Sequence, residues 1–185
     1  MKCTKCGSTM IKSIGDHVYR ESGMDHVILR NITKYHCETC GTKNVQIVAM
    51  AQLHRLLAEL IARKPARFVP SEVRFIRDHL ELSNKDFAVL MGVTEAQASR
   101  WTSSEPIGVL AERFLRMLAT FGPVVLASRN TPAVVLGKVK GGEFVADVAE
   151  TLHRLPSKDE PVKEVPIKVR RSNSDWRLEP QIAAN

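Results

Sequence analysis

With 185 residues, 44% of them hydrophobic and 25% charged, the chain has the make-up of one ordinary globular domain or two small ones. Its longest apolar runs, Pro123 to Ala127 and Ala133 to Leu136, fall far short of the roughly 20 residues that cross a bilayer. The opening Met1-Lys2-Cys3-Thr4-Lys5-Cys6 lacks the apolar core and cleavage site of a secretory signal, so a cytoplasmic protein with no membrane partner is expected.

The net charge of +7 suits an anionic partner but is thinly spread. Residues 1–47 carry 7 basic against 4 acidic side chains, 48–122 carry 10 against 8, 123–155 carry 4 against 3, and 156–185 carry 6 against 5. Motifs must therefore carry the functional reading.

The first motif is a repeated Cys-x-x-Cys-Gly, Cys3/Cys6 before Gly7 and Cys37/Cys40 before Gly41. A two-residue gap lets both thiolates of a pair face one tetrahedral ion, and the glycine tolerates the left-handed backbone of such a turn. The four cysteines thus predict one structural Zn2+ per chain, with no open position for catalysis. Two disulfides suit a reducing compartment poorly, and a thioredoxin-like redox pair needs a βαβ setting that is not seen. Between the pairs, His17 to Arg20, Val27 to Arg30 and Thr33 to Cys37 read as strands, with a turn at Glu21-Ser22-Gly23. His17, His26 and His36 are expected at the surface, since four cysteines already complete a shell.

From Ala51 the spacing becomes helical through Leu53, Leu56, Leu57, Leu60 and Ile61. The basic Arg63-Lys64-Pro65-Ala66-Arg67 reads as a domain boundary, with phosphate contact as the lesser reading. A helix then starts at Pro70, with Glu72 at its positive end, and runs through Val73, Ile76 and Leu80. Over Leu82 to Trp101, Ser83 with Asp86 and Thr94 with Gln97 have capping-box spacing, Gly92 suits a tight corner, and Ala88 permits a close crossing. This is the pattern of a helix-turn-helix. Its second helix, opening at Thr94, would present Glu95, Ala96, Gln97 and Arg100 to base edges, while Asn84 and Lys85 would hold a phosphate. Phe87, Leu90, Val93, Ala98 and Trp101 are expected in the core. So is an apolar face formed by Leu110, Phe114, Met117, Leu118 and Phe121.

The fold class expected is a small α+β, zinc-bound β-sheet module followed by an all-α helix-turn-helix bundle. The expected divisions are 1–47 for the zinc module, 48–67 for a helix and linker, and 68–122 for the helix-turn-helix domain. An extension follows at 123–155, in which Val124 to Val139 packs or pairs and Glu143 to Leu155 forms a helix. Its prolines and alternating charges make 156–185 a poorly ordered tail, in which Trp176 is a candidate docking residue.

The two halves together resemble the MqsA/YgiT-type antitoxins, over residues 1 to about 121. The cysteine positions carry the resemblance, with Ser99-Arg100-Trp101 similar to the family's Ser-Arg-Tyr. It implies a non-enzymatic repressor that binds double-stranded operator DNA as a homodimer, controls its own operon, and neutralises a toxin through the zinc module. Ala96 stands where the family pattern has a base-reading asparagine, which implies a different operator. The extra 60 or so residues leave room for a free-standing regulator. The competing reading is a zinc-dependent protein- or RNA-interaction module whose helical domain serves dimerisation.

Overall fold

The computed structural model describes residues 1–127, 160–172 and 175–179. The chain divides into two compact units, Met1–Leu56 with Pro166–Asn185, and Leu57–Val165.

The first unit is a sheet. Strand β1 (Ile11–Val18) runs antiparallel along β2 (Val27–His36), and β3 (Lys43–Gln46) returns antiparallel on the other edge of β2. That edge has a second occupant. Strand β4 (Ile167–Ser172) pairs in parallel with Val27 to Arg30, and β5 (Asp175–Leu178) folds back on it as a hairpin. Between these two partners, Asn31 takes φ 61° and its side-chain amide donates to the Arg171 carbonyl at 3.2 Å. Here two residues of β2, Arg30 and Asn31, lie opposite the single Asp16 of β1. The bulge shifts the alternation by one, so Val27, Leu29 and Ile32 all reach the buried face.

Several expectations change in this unit. The runs Val27 to Arg30 and Thr33 to Cys37 are one strand, because asparagine accepts the left-handed backbone at the bulge. Strand β1 begins at Ile11, earlier than read, and Arg20–Ser22 is a 3₁₀ turn closed by Gly23 at φ 77°. As an edge strand with most side chains in water, β1 needs no apolar alternation, and the polar Lys43–Gln46 gives no signal for β3. His26 is buried, not superficial. The expected poorly ordered tail contributes β4 and β5 among its described residues. Its buried side chains, Ile167, Val169 and Trp176, are few but alternate correctly for a strand. Trp176 is not a free docking residue, since it is only 4% exposed and its indole N–H donates to the Val48 carbonyl at 2.9 Å.

The second unit is helical. Helix α1 (Met50–Arg63) enters it, followed by α2 (Pro70–His79), α3 (Asn84–Met91), α4 (Glu95–Trp101) and α5 (Val109–Ala127). Its core holds Leu57, Ile61, Phe68, Val73, Ile76, Phe87, Ala98 and Leu115, together with a buried network of charges. The segment after α1 is polar backbone out of water, and its groups need partners. Arg116 donates to the carbonyls of Ala62 and Lys64 at 2.8 Å and of Ala66 at 2.7 Å. Glu112 accepts from the Phe68 amide at 3.0 Å, from Arg67 Nε at 3.1 Å and from Arg116 Nη2 at 2.8 Å. Lys64 pairs with Glu72 at 2.6 Å.

This network corrects two expectations. Lys64 is buried and Arg67 is bound to Glu112 and the Ile107 carbonyl, so these cations are not phosphate contacts. Helix α5 turns Glu112, Leu115, Arg116 and Ala119 inward, which leaves Leu110 82% and Phe114 41% exposed. Met117 and Leu118 are half-buried. Leu90 is also more exposed than a core residue. The side chain of Phe121, and all of 128–159 with the expected helix at Glu143 to Leu155, lie outside the described residues; 124–127 close α5.

Candidate metal centre and nucleic-acid interface

The two Cys-x-x-Cys-Gly segments fold into the same turn. The Cys3 amide donates to the Ser8 carbonyl at 2.8 Å and the Gly7 amide to Cys3 at 2.9 Å; the Cys37 amide donates to Thr42 at 2.9 Å and the Gly41 amide to Cys37 at 2.8 Å. Gly7 and Gly41 take φ of 75° and 72°. A side chain there would meet no atom within 4 Å, so the requirement is conformational.

The turns bring all four sulfurs within 4.8 Å of one another, with Cys3 to Cys40 and Cys6 to Cys37 each 3.5 Å. Two thiolates on one tetrahedral zinc stand about 3.8 Å apart, given Zn–S bonds of about 2.3 Å. All four thiols are free, so the cluster is compatible with a single four-sulfur metal site. The amides of Cys6 and Lys5 hold the Cys3 thiol down to about 6. At Cys37 the Cys40 amide also pulls down, but burial with the Cys6 and Cys40 thiols outweighs it and pushes the group up to about 11. A cation at the centre of the cluster would favour the thiolate at every position.

In the second unit, Ser83 and Thr94 cap α3 and α4 by accepting from the Asp86 amide at 3.1 Å and the Gln97 amide at 3.2 Å. The returning arm of each expected box is replaced. Ser83 donates to the Asp86 carboxylate at 2.7 Å, and the Gln97 side chain is drawn elsewhere. Gly92, at φ 66°, ends α3 and turns the chain into α4. Asn84 donates from Nδ2 to the Glu95 carbonyl at 3.2 Å, tying the start of one helix to the start of the next.

Of the residues singled out for DNA, Lys85, Thr94, Glu95, Ala96 and Arg100 are exposed, while Asn84 and Gln97 are half-buried. Ala98 and Trp101 are buried on the opposite side of α4. The structure adds Glu105, which sequence reasoning missed. Its carboxylate accepts from Arg100 Nε at 3.2 Å and from Gln97 Nε2 at 3.4 Å. It stands five residues beyond Arg100, outside helical pair spacing, so no sequence periodicity marks it.

A family model described as the antitoxin component of a bacterial toxin-antitoxin system, MqsA, matches residues 1–120. The chain belongs to the MqsA antitoxin family. The match takes in the cysteine cluster and α1 to α4, and it stops within α5, so the β4–β5 hairpin lies beyond the MqsA match. No curated protein and no solved structure matches the chain. No helix among the described residues is long and apolar enough to cross a membrane.

Proposed function

We propose that this MqsA-family antitoxin is a non-enzymatic, cytoplasmic repressor whose α3–Gly92–α4 segment is a helix-turn-helix that binds operator DNA in its own promoter. The observation that carries the reading is α4. It is capped by Thr94, anchored by Ala98 and Trp101, and open to solvent along Glu95, Ala96 and Arg100. A helix entering the major groove needs such a buried back and a polar front. Arg100 is the guanine reader, Glu95 and Gln97 lie beside it, Ala96 offers only a methyl contact, and Lys85 with Asn84 faces the phosphates.

One such helix reads few base pairs, so the active species is a homodimer on two half-sites about one DNA turn apart. The exposed Leu110 and Phe114 of α5 support a hydrophobic surface for that second copy. The four cysteines hold one structural Zn2+, which closes the sheet module that neutralises a toxin protein.

The test is binding to the chain's own promoter and to a scrambled duplex at two salt concentrations. We expect preference for the promoter, a two-fold symmetric footprint, and a loss of about 1 to 3 kcal/mol on the promoter for Arg100→Ala. Equal affinity for both duplexes would remove the repressor reading.

A further inference from the structure

The strongest unassigned feature is a closed ring of three side chains on the exposed side of α4. The amides of Ser103, Ser104 and Glu105 all donate to the Arg100 carbonyl, at 3.1, 2.9 and 2.9 Å. They wrap the chain back over the last turn of the helix. Glu105 then accepts from Arg100 Nε and Gln97 Nε2, and Arg100 Nη2 donates to Gln97 Oε1.

We propose that Glu105 is a specificity-determining positioning residue that fixes Arg100 so that the tip of its guanidinium meets guanine. This rests on the DNA-reading role of α4. A guanidinium is planar, with one side edge formed by Nε and one Nη and a tip formed by both Nη groups. Here the side edge is taken by Glu105 and Gln97. The tip keeps Nη1 and the outer hydrogen of Nη2, the parallel pair that matches guanine O6 and N7. Gln97 has both amide ends engaged in the ring, so it too positions rather than reads.

A carboxylate beside the reading face also has a cost. It repels the phosphates of every sequence equally, which weakens binding to wrong DNA as well as right. Glu105 therefore has two separable effects: by removing rotamer freedom from Arg100 it sharpens base preference, and by its charge it lowers affinity for all DNA without changing that preference.

The experiment compares full-length wild type, Glu105→Ala, Glu105→Gln and Arg100→Ala on a site enriched from randomised duplexes. The same site, changed at the guanine whose preference Arg100→Ala abolishes, and scrambled DNA complete the set. Glu105→Ala should lose about tenfold in preference for that guanine, the scale of freeing an arginine side chain, while binding scrambled DNA more tightly. Glu105→Gln keeps an acceptor for Nε–H and should retain most of the preference, yet share the tighter scrambled binding. Melting temperatures should be unchanged, since the ring is at the surface. Preference intact in Glu105→Ala but lost in Arg100→Ala overturns the proposal alone. Equal loss in both Glu105 variants with a lowered melting temperature marks a merely structural role and also overturns it. A wild type with no base preference removes the DNA-reading role, and this proposal with it.

Discussion

Arg116 shows how a single side chain can replace secondary structure. It supplies donors to three carbonyls that have left the helical ladder of α1, and Glu112 balances its charge from one turn away. Replacing a lone buried ion pair with apolar residues is often harmless, but here the linker carbonyls would remain buried without donors. Arg116→Met should therefore destabilise the helical unit by about 3 to 5 kcal/mol, read by chemical denaturation. Lys85 gives a contrasting case. If it meets a phosphate, Lys85→Ala should weaken promoter and scrambled DNA alike and make the salt slope shallower by about one unit.

His54 carries a pH dependence. Burial lowers its pKa below the usual 6.5, and its Nε2 lies 2.9 Å from the Tyr19 hydroxyl, which itself donates to Met50 Sδ at 2.9 Å. Below 6.5 the unfolded chain binds the proton first. The stabilising contribution is thus complete above 6.5 and is lost as pH falls towards the folded value. Wild type should lose more stability between pH 7 and pH 5 than His54→Gln, with zinc content followed in parallel. Equal losses would show that the ring does not titrate this way.

At the scale of elements, the hairpin of β4 and β5 is a structural part of the sheet. Trp176→Ala should cost about 3 to 5 kcal/mol of sheet stability, the usual range for a buried aromatic. Trp101 lies in the other unit, so a Trp101→Phe background lets Trp176 emission report the sheet by itself. Deleting 166–185 should lower the melting temperature of the zinc-loaded sheet, and an unchanged value would mean that the hairpin is dispensable.

The elements also explain what the sequence disclosed. The cysteine turns and the caps of α3 and α4 were legible because local chemistry fixes them: glycine at positive φ, hydroxyls at helix starts. Helix α5 was misread because burial of Glu112 and Arg116 answers the needs of a segment about 50 residues away. Strand β4 was missed for the same reason, since its pairing partner is remote. Glu105 enters the ring through the path of its own backbone, which helical spacing does not encode.

For the whole molecule, metal and assembly set the remaining expectations. Cys37→Ser should leave three sulfur ligands, release zinc, and unfold the sheet unit, as metal analysis and circular dichroism would report. The helical unit has its own core and should keep its helical signal; its loss would show that the two units fold as one.

The parallel pairing of β2 with β4 also has a consequence in time. Its partners, such as Asn31 and the Arg171 carbonyl, are 140 residues apart in the chain. At synthesis rates of about 5 to 20 residues per second, that distance takes roughly 7 to 28 s to translate. For that interval each newborn chain presents part of the β2 edge bare, a template on which another strand can pair. On a crowded messenger, neighbouring nascent chains would carry the same open edge at the same time.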